Sequence, residues 1–112
     1  MRSSSAGMAV EMEPNCIGIT RRILPAVRAS VAEVMKERYN YTEAEIAQRL
    51  GVVQVTVSKY LNKRYSSDVE SMKSYIMKNN LNAGIVEDIR TGKDAGKVNE
   101  RIDELCAAIA SR

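Results

Sequence analysis

The stretch YTEAEIAQRLGVVQVTVSKYLNKR, Tyr41 to Arg64, decides the fold. Thr42 places a hydroxyl ahead of Glu43 and Glu45, so the free amides of a helix start can be capped while two carboxylates sit in its first turn; the pattern predicts a helix over Glu43 to Leu50. Its apolar residues Ile46, Ala47 and Leu50 share one face. Gly51 follows at once, the residue type that adopts positive φ without penalty and so stops one helix tightly before another begins. A second helix is expected over Val53 to Leu61, with Val57, Tyr60 and Leu61 inward and Asn62-Lys63-Arg64 as its polar close.

Two short helices joined in this way make a helix-turn-helix if the crossing residue is small, the joint holds a glycine and apolar anchors fix the second helix. Ala47, Gly51, Val52, Val57 and Tyr60 fill those slots. A purely structural helical hairpin would share this apolar pattern, and the charge of the segment separates the two readings. Between Ile46 and Ser67 stand Arg49, Lys59, Lys63 and Arg64 and no acidic residue.

Outward from this segment the chain continues as helices. Ile23, Val27, Val31, Val34 and Met35 recur at helical spacing, and Pro25 suits the first turn of a helix starting near Leu24 and ending near Arg38. Residues 1–15 have no sustained period and are expected to be a flexible leader, with 16–65 the helix-turn-helix core and 66–112 a C-terminal helical segment. In that segment Val69, Met72, Ile76 and Met77 mark one helix. Asn82 is expected to cap a second through Ile85, Val86 and Ile89, and Asp94 to open a third carrying Val98, Ile102, Leu105 and Ile109. The last stripe resembles a short heptad seam, equally suited to packing on the domain or to self-association. The expected fold class is all-α, a compact helical bundle containing a helix-turn-helix, with the C-terminal helices available for dimerisation.

Composition narrows the function classes. The chain has 112 residues, 45% hydrophobic and 28% charged, with five aromatic residues that are all tyrosine, which suits a small domain with an aliphatic core. No apolar run is long enough to span a membrane, and a soluble, cytoplasmic protein without a membrane partner is expected. Histidine is absent, which removes the commonest general acid/base and metal ligand, so neither an enzyme nor a cofactor is expected. Cys16 and Cys106 form no metal-binding spacing and read as buried small hydrophobes, with a redox role left open. Of the net charge of +3, residues 1–65 carry ten Lys/Arg against six Asp/Glu and the remainder seven against eight, so the first part is expected to meet an anion.

Double-stranded DNA is the expected partner. On the outer side of the second helix, Gln54 can present its amide to adenine, Val55 can touch a thymine methyl, and Lys59 can donate to guanine or phosphate. Thr56, Ser58, Asn62, Lys63 and Arg64 are expected phosphate contacts, which orient the module without reading sequence. Arg21, Arg22 and Arg28 are explained equally well as surface charge.

With these residues in place the chain resembles a family, the small archaeal predicted transcriptional regulators with a phage-repressor-like (Xre-type) helix-turn-helix. The resemblance covers roughly Asn15 to Tyr65 and is carried by Leu24-Pro25-Ala26, Arg28, Leu50-Gly51-Val52, Gln54, Val57-Ser58, Tyr60-Leu61 and Lys63-Arg64. It implies a five-helix domain in which Gln54 to Lys59 front the major groove, sequence-selective DNA binding and transcriptional control. Val53 stands where the family usually has Thr, Tyr65 where it has Gly, and Ile109 where members carry a second C-terminal Cys after Cys106, so no metal site is carried over. The expected function is a DNA-binding transcriptional regulator, a repressor acting as a homodimer, possible contact with the transcription machinery included. Two alternatives use the same scaffold: a protein-interaction adaptor docking through Val53 and Val55, and an architectural or partition DNA-binding protein.

Overall fold

The computed structural model describes residues 22–111, and among these the chain forms six helices and no strand. They are α1 (Leu24–Tyr39), α2 (Glu43–Leu50), α3 (Gln54–Leu61), α4 (Ser67–Lys78), α5 (Ala83–Arg90) and α6 (Ala95–Ala110). The chain is thus the all-α bundle expected. The proposed leader 1–15, Cys16 and Arg21 lie outside the described residues.

α1 is the axis of the bundle and packs against each of the other five helices. Pro25 sits in its first turn, where the missing N–H costs nothing, and Asn40 closes it at φ 62°, a left-handed conformation that asparagine tolerates better than most residues. The five-residue stripe read from sequence is only part of its buried surface. Ala26, Ala29 and Ala32 are also fully buried, and their short side chains let neighbouring helices approach from the remaining sides. Ser30, buried among them, donates its hydroxyl to the Val27 carbonyl at 2.8 Å.

The first helix of the motif starts as its sequence dictates. The Glu45 amide donates to Thr42 Oγ1 at 3.1 Å and the Thr42 amide donates to Glu45 Oε1 at 2.8 Å, a reciprocal capping box. The Thr42 backbone N–H is the main reason the Glu45 carboxyl lies below its ordinary pKa.

The C-terminal helices join the same core rather than forming a separate one. α4 rests on α1, where buried Lys73 donates to Glu33 Oε1 at 2.6 Å. Burial, the largest single influence, lowers the pKa of this ammonium, but the hydrogen bonds and charges of Glu33 and Tyr65 together outweigh it and the net shift is upward. On α5, Asp88 accepts Arg101 Nε from α6 at 3.0 Å.

One expectation for this half is corrected. Asn82 does not cap α5 through its side chain. The tight connection from α4, with Asn80 at φ 54°, leaves Asn82 at φ −90° and ψ 4° instead of the extended backbone a capping side chain needs, and its amide donates to Ser30 Oγ at 3.1 Å. The seam on α6 faces inward: Val98, Ile102, Cys106 and Ile109 are buried in the core of the same chain, and Leu105 is half-buried at its margin. That stripe packs within the chain, the first of the two roles its spacing allowed, with Leu105 still partly exposed.

Candidate nucleic-acid interface

α2 and α3 pack on each other and on α1, and the turn between them is held by backbone geometry. Gly51 has φ +70° and caps α2, and the Val52 amide donates to the Ala47 carbonyl at 3.0 Å. Ile46, Ala47, Leu50 and Val57 are buried while Val52, Tyr60 and Leu61 pack half-buried against the core, so each anchor expected of the motif is seated.

With its inner face fixed, α3 presents the residues predicted to meet DNA. Gln54 and Val55 are exposed at its leading end and Lys59 further along; Thr56 and Ser58 are half-buried at its flanks. Val53 is the N-cap, in extended backbone, and supplies no side-chain bond to the free amides of the first turn, as its lack of a hydroxyl requires.

The far end of α3 is closed by a Schellman motif. The Arg64 amide donates to the Lys59 carbonyl at 2.9 Å and the Lys63 amide to the Tyr60 carbonyl at 3.2 Å, with Lys63 itself at φ 59°. Lys63 and Arg64 are thereby turned out into solvent beside Lys59. Among the described residues none of these three cations has an acidic partner within 4.0 Å. Asn62 behaves differently from its expected phosphate role: its Nδ2 donates to the Ser58 carbonyl at 2.8 Å and to Ser58 Oγ at 3.3 Å, so its donor group serves the helix end.

Other residues matter that the sequence did not single out. Asn99 of α6 donates its side-chain amide to the Leu50 carbonyl, 49 positions away in sequence, at 2.9 Å, and Ala95 lies close enough that a Cβ on Gly51 would sit 3.4 Å from its own. Beside this contact Gln48, Arg49, Lys93, Asp94 and Ala95 line a surface recess, which brings Lys93 next to the basic end of α2. No local signal in the sequence marks Asn99 or Lys93 for these positions. Arg28 runs inward from α1 and is half-buried, and its charge acts on buried Cys106.

No family model, curated protein or solved structure matches the chain. The resemblance to the archaeal regulators therefore rests on the motif residues themselves. No helix among the described residues is long and apolar enough to cross a membrane.

Proposed function

We propose that the protein is a sequence-specific DNA-binding transcriptional regulator that lays α3 in the major groove. The observation that carries this reading is the surface of α3 and its closing turn: an exposed amide at the leading end, and three exposed cations, Lys59, Lys63 and Arg64, with no acidic partner among the described residues. Cations left unpaired on one element suit a polyanion, whose condensed counterions they displace. Gln54 contacts a base edge, Lys59 a base or phosphate, and Lys63 and Arg64 phosphates on the flanking strand. Arg49, at the recess beside the turn, extends the basic margin, while Lys93 at the same recess is paired with Asp88 at 3.6 Å.

Regulation is steric: occupied promoter DNA is closed to the polymerase. A single module of this size makes few phosphate contacts, so the reading includes a homodimer on two half-sites about one or two turns of DNA apart, joined through a face other than the buried stripe of α6.

Selection of bound duplexes from a random pool at two salt concentrations tests the proposal. A near-palindromic enriched sequence whose affinity falls with salt is the expected result. Salt-sensitive binding without an enriched sequence assigns the protein an architectural role, and no binding at either salt replaces DNA reading with the adaptor reading.

A further inference from the structure

We propose that Val53 and Val55 read the C5 methyl groups of pyrimidines beside the base that Gln54 contacts, which makes thymine methyls a determinant of the target sequence. The inference rests on the DNA reading above and adds the chemistry of the groups recognised.

Val53 and Val55 are 65% and 60% exposed, whereas the next large apolar side chain among the described residues, Tyr75, is 39% exposed. Both stand at the leading end of α3, Val53 as its N-cap and Val55 as its second residue, with the exposed Gln54 amide between them. Exposed Tyr39 is covered by the Arg90 guanidinium 4.6 Å from its ring centre, whereas the two valines are the most exposed of the large apolar residues described. Two of the most exposed apolar side chains among the described residues therefore stand next in sequence to the polar group best placed to read a base.

The surroundings identify what covers them. From Ile46 to Ser67 the chain has four cations and no anion, which suits the backbone of a nucleic acid. In the major groove every base edge is polar except for one apolar projection, the C5 methyl of thymine. Two valines separated by an amide cover only a small part of the roughly 1,000 Å² that a stable protein interface needs. They are, however, the right size for single methyl groups. A methyl on C5 of cytosine offers the same apolar group, so methylated cytosine at these positions is read as thymine is.

The test starts from a duplex recovered by selection. Each thymine is replaced in turn by deoxyuridine, which removes the methyl and leaves the pairing edge unchanged, and affinities are measured for the wild type, Val53→Ala and Val55→Ala. Both valines are exposed, so neither truncation disturbs the core. The expected result is a three- to fivefold loss at one or two thymines for the wild type, about the worth of one buried methyl group, with the matching alanine variant already weakened and indifferent to the replacement. Equal affinity for thymine and deoxyuridine duplexes overturns the proposal and leaves the DNA reading standing. So does an alanine variant that keeps full methyl sensitivity. Loss of self-association on sedimentation of Val53→Ala or Val55→Ala, with methyl sensitivity absent, assigns the valines to a contact between copies instead. Failure to bind any duplex at either salt removes the DNA reading itself and this inference with it.

Discussion

Asn99 on the last helix donates its side-chain amide to the Leu50 carbonyl at 2.9 Å and to the Ala95 carbonyl at 2.9 Å. The first bond satisfies the last carbonyl of α2, immediately before the turn that aims α3, and the second fastens Asn99 to its own helix. The C-terminal helix is thus part of the device that positions α3. Asn99→Ala leaves the Leu50 carbonyl without this partner and is expected to cost about 1–2 kcal/mol in denaturant unfolding. Asn99→Asp costs more, because a carboxylate then faces a carbonyl oxygen. In hydrogen exchange, the amides of Val52 to Val57 should open faster in Asn99→Ala while those of α4 hardly change. An unaltered denaturation midpoint would show that the bond contributes nothing to the joint.

This bond also marks where sequence reading stops. The helix-turn-helix was legible because its determinants are local: a capping Thr42 three residues before Glu45, a positive-φ glycine at 51, and apolar anchors at fixed spacing. The outer residues of α3 followed, since a helix with a known inner face has only one outer face. The amide of Asn99 and the recess formed by Lys93 and Arg49 depend on how α6 crosses α2, which no local periodicity encodes. The role of α1 was half legible. Its branched apolar residues gave one stripe, but three buried alanines show a helix enclosed on several sides, and alanine is as common on exposed helix faces as inside. Val98, Ile102 and Ile109 gave the correct face of α6 without saying that its occupant belonged to the same chain.

The Glu33–Lys73 pair ties α4 to α1, and its two halves should respond unequally to mutation. Lys73 is buried and Glu33 is about one quarter exposed, so removing the carboxylate strands a charge that water cannot reach easily. Glu70, 3.8 Å from Lys73 Nζ, is a poor substitute. Glu33→Gln is therefore expected to cost about 2–3 kcal/mol, and Lys73→Met, which replaces the stem with an apolar one and leaves Glu33 to water, about 1 kcal/mol. Urea midpoints of the two variants check the order; a larger loss in Lys73→Met would show that packing of the lysine stem, not the stranded charge, controls this site.

Cys106 is buried, and burial pushes its thiol up to about 11, with Asp103 adding to the effect and Arg28 opposing it. Its folded pKa is raised, so the stability it contributes is fully present below the unfolded value near 9.0 and is lost as pH climbs towards 11. Cys106→Ala should reduce the alkaline destabilisation in that window by on the order of 1–3 kcal/mol, after its own neutral-pH packing loss is subtracted. Tyr65, whose pKa is also raised by burial, remains in both proteins and cancels in the comparison. The native thiol should react with a disulfide reagent only as fast as the protein opens. Rapid labelling at neutral pH would instead reveal a reactive cysteine and reopen a redox role.

Lys63 sets backbone stability against the proposed phosphate contact at one position. Its φ of 59° puts an L side chain where glycine is the preferred residue, as the C′ position of the Schellman motif that ends α3. The conformation costs about 1 kcal/mol relative to glycine, and in exchange the turn holds an ammonium in solvent next to Arg64. Lys63→Gly is accordingly expected to raise stability by up to about 1 kcal/mol while weakening binding to every duplex and lowering the magnitude of the salt slope by about 0.9. Lys63→Asn, which tolerates the same backbone without the charge, should lose DNA affinity to the same extent with a smaller gain in stability. Thermal unfolding and salt titrations on the same preparations separate the two effects. If Lys63→Gly stabilises the fold and leaves DNA affinity and salt slope unchanged, the lysine does not contact phosphate, and the strained backbone has no explanation in binding.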